Sequence, residues 1–344
     1  MNTLLLSPTD ENIRQAAEIL KNGGLVAMPT ETVYGLAADA LNGEAVKKIF
    51  EAKGRPSDNP LIVHISGIEQ MRPLVKDIPL KAEILAEKFW PGPLTIILPK
   101  SDVIPDEVCA GLDTVAIRFP SHITARKLIS LSGPLAAPSA NLSGSPSPTT
   151  FQHVICDMDG RIDAILDGGD SEVGVESTVI TLASDIPCIL RPGGITAEQL
   201  REAIGEVTIA DAVTKPLAEG EKAASPGMKY KHYAPAAEVL LIDAEGETFS
   251  SYVNSHTENG DAVLCYKEDL GRLKLPCMCI GRSDDYSTQA HRLFSALREM
   301  DNIGVKRVYA HCPKKEGVGL AVYNRIIRAA AFKVINPLAG EVEL

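Results

Sequence analysis

Residues 29–65 read PTETVYGLAADALNGEAVKKIFEAKGRPSDNPLIVHI, and the order of polar and apolar residues in this stretch decides the class of the fold. It follows an apolar run, Leu25-Val26-Ala27-Met28, short enough and sharply enough bounded to be a buried strand. Thr30, Glu31, Thr32 and Tyr34 crowd the place where that strand ends, and Gly35 is read as permitting a tight bend. Val46, Ile49 and Phe50 mark a short helix that delivers Lys53 and Arg55 at its C-terminal side, beside Pro56, Asn59 and Pro60. Residues 61–65 then form a second strand, with His64 inside it as either a packed side chain or a ligand-facing one. Strand, helix and strand in alternation predict an α/β domain. Arginine is a planar fork and lysine a point charge, so the pair on a Pro/Gly-braced loop suits an anion. A lone K-G-R more often marks a solvated turn; similar polar clusters at later strand ends argue for a site.

Working outward, residues 10–22 predict a helix, with Ile13, Ala16, Ala17 and Leu20 on one face, Thr9 or Asp10 as cap and Gly23-Gly24 at the end. Residues 79–89 predict another, closed by Trp90-Pro91-Gly92-Pro93, which reads as a structural corner before the strand at 94–98. The strand at 114–117 closes on Arg118. Residues 135–138 lead into Ser139-Ala140-Asn141-Leu142-Ser143-Gly144 and on to Ser147, Pro148 and Thr149. Small hydroxyls, Asn and Gly on a loop provide the donors and the close backbone approach that phosphates require. Glu176, Ser177 and Thr178 precede a strand, and Arg191 ends another, before Pro192-Gly193-Gly194. Thr196 caps a helix that closes the first domain, 1–208. Residues 209–236 lose periodicity and become rich in Ala, Lys, Pro and Gly; this linker, which holds Tyr230, is read as a strap over the first domain's pocket. In 237–344 four apolar strands (VLLID, AVLCY, CMCI, RVYAH) alternate with helical spacings, which predicts a smaller, mostly parallel α/β domain.

A length of 344 residues favours two domains. The net charge of −11 argues against a protein that wraps a nucleic-acid backbone, but not against a local cationic pocket for a small anion. Seven scattered cysteines, of which only Cys277 and Cys279 are close, give neither a disulfide framework nor zinc spacing, and are expected to be reduced thiols. The N-terminal residues lack the pattern of a signal peptide, and no apolar run approaches the roughly 20 residues that span a bilayer. A cytoplasmic protein is therefore expected, without membrane partners. There is no Walker loop, and Gly317-Val318-Gly319 lacks the third glycine of a dinucleotide fingerprint.

Lys53, Arg55, Arg118 and Arg191 are cations beside Gly or Pro near element ends, and Thr32, Ser139, Asn141, Ser143, Ser177 and Thr178 are small polar groups on comparable turns. Such a set describes a pocket for a highly anionic substrate. No Ser-His-Asp order, metal-spaced His cluster or evident Cys nucleophile stands out. Transfer between bound ligands by positioning and charge neutralisation is favoured over a covalent enzyme intermediate.

PTETVYGLAADA and KGRPSDNPLIVHI, followed by WPGPLTIILP, TVAIRFP, APSANLSGSPSPT, GVESTVI and ILRPGG, closely resemble the YrdC-type threonylcarbamoyl-AMP synthases. SPGMKYKHYAP and the domain after it resemble the longer, two-domain form, so the likeness covers roughly residues 5–344. The resemblance implies a YrdC-type twisted α/β sheet with a central concave pocket, joined by the linker to a Rossmann-like C-terminal domain. It implies a nucleotidyltransferase that converts L-threonine, bicarbonate and ATP to threonylcarbamoyl-AMP and pyrophosphate for tRNA modification. Carried over residue by residue, Lys53, Arg55, Ser139 and Asn141 form the catalytic set. Arg55, Asn59, Thr114, Asn141, Thr149, Arg191 and Tyr230 face ATP, and Thr32, His64, Arg118, Ser139 and Ser177 face threonine. Magnesium is expected with ATP, with no protein ligand named; Glu31 and Glu176 are conceivable outer partners. No organic cofactor and no stable tRNA binding are expected, and a downstream threonylcarbamoyl transferase machinery is the expected partner. Two rival readings remain. A carbamoyl-transfer enzyme of hydrogenase maturation would want an acylphosphatase-like segment and zinc-finger cysteines; an RNA-binding module would want a broad basic face.

Overall fold

The computed structural model describes residues 2–217 and 233–339 and the backbone of Glu341–Glu343. Contacts divide these into two units: residues up to Ser143 with Ser147–Val213 and Leu217, and residues from 233 onward with Gly144–Pro146 and Thr214–Pro216.

The strands of the first unit are β1 (Leu4–Leu6), β2 (Val26–Met28), β3 (Gly35–Asp39), β4 (Ile62–His64), β5 (Leu94–Pro99), β6 (Thr114–Arg118), β7 (Leu135–Ala136), β8 (Ala164–Leu166), β9 (Thr178–Thr181), β10 (Cys188–Arg191) and β11 (Thr208–Ile209). They pair in the order β1-β8-β2-β3-β7-β4-β6-β5-β9-β10-β11, with parallel and antiparallel neighbours mixed. One face of this sheet packs a large core throughout. Ala27, Leu36 and Ile165 face it from one half of the sheet, and Val63, Ile65, Val115, Ile117, Leu94, Ile96, Leu98 and Ile180 from the other. The second face is treated differently in its two halves. Over β1, β8, β2, β3 and β7 the helices Asp10–Lys21 and Ile123–Ser132 bury Val26, Met28, Ala37, Leu135, Ala164 and Leu166. Over β4, β6, β5 and β9, Ile62, Ala116, Ile97 and Val179, with Leu190 packed against them, form a small apolar group on that face. Because successive strand residues point to opposite faces, the next residues on that side are His64, Arg118 and Thr95. The fold thus leaves one end of this half-face, beside the small apolar group, for polar groups.

The sequence expectations meet the structure closely at the first helix, Asp10–Lys21, where Thr9 is the cap, its side chain accepting from the Asn12 amide. Gly35 is different: it opens β3 rather than making a bend. Its missing side chain serves close approach instead, since a Cβ there would lie 3.3 Å from that of Ala137 and 3.6 Å from Pro138 O. Helices Ile123–Ser132 and Phe151–Met158 were not anticipated. The first is capped by an atypical residue, His122, and the second has only eight residues, too few for a clear periodic signal.

The second unit holds β12 (Glu238–Ile242), β13 (Asp261–Cys265), β14 (Cys277–Cys279), β15 (Arg307–His311), β16 (Val334–Asn336) and β17 (Glu341–Glu343), in the order β14-β13-β15-β12-β16-β17. All pairs are parallel except β16 with β17, as the strand–helix alternation predicts. It has a core of its own, with Ile242, Phe249, Val253, Val263, Cys265 and Tyr309. Among the described residues no helix is long and apolar enough to cross a membrane.

Candidate active site

Strand register builds the centre of the site. His64 on β4 pairs with Arg118 on β6, Arg118 with Thr95 on β5, Thr95 with Val179 on β9, and Val179 with Arg191 on β10. One transverse row therefore carries a histidine, two arginines and a threonine on the face that the core leaves free. Arg191 joins the row through a bulge. Ile189 pairs with Ile180, yet Arg191, two residues on, pairs with Val179, one residue back. The extra residue turns Arg191 from the core side to the side of Val179, a common use of a bulge.

Around this row the side chains form three knots. In the first, Arg118 donates to Thr32 Oγ1 at 2.9 Å and to Glu31 Oε1 at 2.7 Å, an ion pair whose side chains are only 4% and 5% exposed. Thr30 and Thr32 hydroxyls lie 2.9 Å apart, and Thr30 also donates to Val33 O at 2.6 Å. In the second, Arg191 Nε and Nη2 donate to Ser177 O and Oγ at 3.0 and 3.1 Å, while Ser177 Oγ lies 2.8 Å from Thr95 Oγ1. Gly193 lets this turn close: a Cβ there would lie 2.3 Å from Thr178 N and 2.5 Å from Glu176 O. In the third, Lys53 ends helix Gly43–Lys53, and its buried ammonium donates to Ser139 O and Asn141 O at 2.5 and 2.6 Å. Ser139 Oγ in turn donates to Asn141 Oδ1 at 2.5 Å, and Arg55 donates to the carbonyl of buried Asn59 at 3.1 Å.

Main-chain bonds join the first and third knots, through Ala140 N to Tyr34 O at 2.8 Å and a bridge between Gly35 and Ser139. Tyr34 N donates to Pro148 O, and Ser171 N to Thr149 O, so the loop through Thr149 is tied to the same stretch. Burial in this row pushes the His64 imidazole down to about 3, helped by the Arg118 charge, so it is neutral near pH 7. Its Nδ1 lies 3.1 Å from Ile62 O. With Lys53, Arg118 and Arg191 buried, the first unit holds a cluster of cations and hydroxyls fit for an anionic ligand.

A family model described as Telomere recombination, for Sua5, YciO and YrdC, matches residues 18–193, and one described as Threonylcarbamoyl-AMP synthase, C-terminal domain, matches residues 195–331. The chain belongs to the Sua5/YciO/YrdC family. Relatives within it include the Threonylcarbamoyl-AMP synthase of Bacillus subtilis, 48% identical over 96% of this chain and 96% of that protein. That of Pyrococcus abyssi is 47% identical over 94% and 95%. The solved structure of P. abyssi Sua5 complexed with L-threonine is 46% identical, with a TM-score of 0.89 over 98% of this chain and 99% of that one. The two-domain α/β architecture is that of the long Sua5 form.

Within this Sua5-type domain the anticipated residues are not all neighbours. Thr114 lies on β6 four residues before Arg118, roughly 13 Å along a strand, and pairs with Pro99. Thr149 is buried just before helix Phe151–Met158. Tyr230 lies outside the described residues. Glu31 and Glu176, considered as outer partners of magnesium, are engaged otherwise: Glu31 by Arg118, and Glu176 as acceptor from Ser147. Among the described residues no group of three His, Cys, Asp or Glu could hold a metal ion, so the side chains do not fit a protein-built magnesium cage. The sequence reading missed Thr95. Its only signal is one polar position in the apolar run LTIIL, and its importance rests on pairing partners far away in the chain.

Proposed function

We propose that this site makes threonylcarbamoyl-AMP from L-threonine, bicarbonate and ATP. The observation that carries this reading is the transverse row, in which Arg118 and Arg191 occupy one sheet face with Thr95 between them. It offers two cationic positions separated by the strands β5 and β9, as joining two anionic ligands requires. The threonine amine attacks the carbon of bicarbonate to form the carbamate, and water leaves. A carbamate oxygen then attacks the α-phosphorus of ATP, and pyrophosphate leaves. Arg118, with Thr32, His64, Ser139 and Ser177, holds threonine; neutral His64 offers a hydrogen bond without adding charge. Lys53, Arg55 and Asn59 hold the phosphates, and Thr114, Asn141, Thr149 and Arg191 hold the nucleotide. Held cations stabilise the charge that develops as pyrophosphate departs. Magnesium, when bound, would be held by the ATP phosphates and water rather than by side chains, and would neutralise phosphate charge there.

The functional division follows 1–208, 209–236 and 237–344. The activity belongs to the cytoplasm and supplies a threonylcarbamoyl transferase machinery, without stable tRNA binding by this chain. The test is pyrophosphate release with ATP, bicarbonate and each amino acid in turn. Release should require both threonine and bicarbonate. Lys53→Ala or Arg55→Ala should lower kcat/KM by about 100-fold or more with the fold retained. Release that ignores threonine, or none at all from folded protein, would overturn the reading.

A further inference from the structure

The motif WPGPLTIILP folds into a corner and β5, and the reaction above assigns no role to any of its residues. Its polar member, Thr95, is fully buried at the centre of the transverse row. We propose that Thr95 is a positioning residue for the amino-acid half of the site, because its hydroxyl sets the direction of the Ser177 hydroxyl; this rests on the reading of Ser177 as threonine-facing.

Hydrogen counting supports the assignment. Ser177 Oγ has one proton and two lone pairs. Arg191 Nη2 is only a donor, so it occupies one lone pair at 3.1 Å. Thr95 Oγ1 lies 2.8 Å away, and Ser177 Oγ is the partner of the Thr95 hydroxyl among the described residues. A buried hydroxyl proton needs an acceptor. The contact leaves the donor open; once the Ser177 proton points to a ligand oxygen, the Thr95 hydroxyl donates to Ser177 and fills its second lone pair. Ser177 thereby becomes a donor, suited to a carboxylate or carbamate oxygen of the amino-acid substrate. Arg191 depends less on this arrangement, since its Nε is held separately by Ser177 O at 3.0 Å. Loss of the Thr95 hydroxyl should therefore affect threonine and spare ATP.

Thr95→Val keeps the shape and removes the hydroxyl; Thr95→Ser keeps the hydroxyl and removes the methyl. In the pyrophosphate-release assay on the full chain, Thr95→Val should raise the threonine KM roughly tenfold, the worth of one buried hydrogen bond. The ATP KM should stay within about twofold and Thr95→Ser should behave as wild type within about twofold. Should Thr95→Val fail to fold, Thr95→Ala against Thr95→Ser makes the same comparison, since both lack the methyl and only one keeps the hydroxyl. An unchanged threonine KM in Thr95→Val overturns the proposal. So does a Thr95→Ser enzyme as impaired as Thr95→Val, or an equal rise in the ATP KM. If wild type itself shows no threonine-dependent release, the proposed activity fails first and the role of Thr95 falls with it; normal wild-type turnover with unaffected variants condemns this inference alone.

Discussion

His64 shows how tertiary surroundings reassign a side chain. In the sequence it is a polar residue in an apolar strand, where a histidine is more often packed than a ligand. In the fold, burial and then the Arg118 charge lower its pKa from 6.5 to about 3, so it stays neutral when the unfolded chain would protonate. The folded pKa is depressed, so the contribution of this group to stability is whole above pH 6.5 and is lost as pH falls toward 3. Over that window wild type should lose up to about 1.4 kcal/mol per pH unit more than His64→Gln. Urea titrations at steps from pH 7 to pH 4 would check this; parallel pH profiles for the two proteins would contradict a buried neutral imidazole. Arg118 was legible as a candidate because it closes a strand, but its ion partner Glu31 lies 87 residues away. Nothing local to either residue announces that pair.

At the scale of elements, the bulge in β10 and the turn after it decide whether Arg191 belongs to the site. The sequence shows R-P-G-G after an apolar strand, which predicts a turn and leaves the direction of the arginine open. The close approach at Gly193 settles it, because the atoms that a Cβ would meet are backbone and have no rotamer by which to yield. Gly193→Ala should cost about 1–3 kcal/mol and pull Arg191 away from Ser177, raising the ATP KM. Gly194→Ala is the control: its nearest neighbour would be Pro93 Cγ at 3.2 Å, so a smaller loss is expected. Thermal denaturation with paired KM measurements tests both, and equal effects at the two glycines would refute the close-approach account. The elements themselves were largely readable. Helix Asp10–Lys21 and strands β4, β5 and β6 follow from periodicity. Helix Phe151–Met158 and the two-residue β7 are too short to carry a clear period and helix Ile123–Ser132 starts at an atypical cap, so their formation depends on the surfaces they cover.

For the whole molecule, the two units have separate cores, and the single tryptophan, Trp90, is buried in the larger one. Tryptophan fluorescence should therefore follow one unit while far-ultraviolet circular dichroism follows both, giving denaturant curves that do not coincide. ATP alone, at about 100 times its Kd, should stabilise the fluorescence transition by about 2.7 kcal/mol and leave the unfolding of the second unit in place. Coincident curves would mean that the chain unfolds as one cooperative body. The sequence by itself determined the α/β class, the second domain, most strands and long helices, and the loops bearing Lys53, Arg55, Ser139, Asn141 and Ser177. Each of these rests on local order along the chain: periodicity, caps, and Gly or Pro at turns. Only the tertiary structure decided that a row at one end of a sheet face is polar, that a bulge turns Arg191 onto it, and that Thr95 stands between the two arginines. Those facts come from strand register and from contacts such as Arg118 with Thr32, 86 residues apart, and Thr95 with Ser177, 82 apart. Register is set by how the whole sheet satisfies its hydrogen bonds and buries its core, and no single stretch of sequence contains that sum.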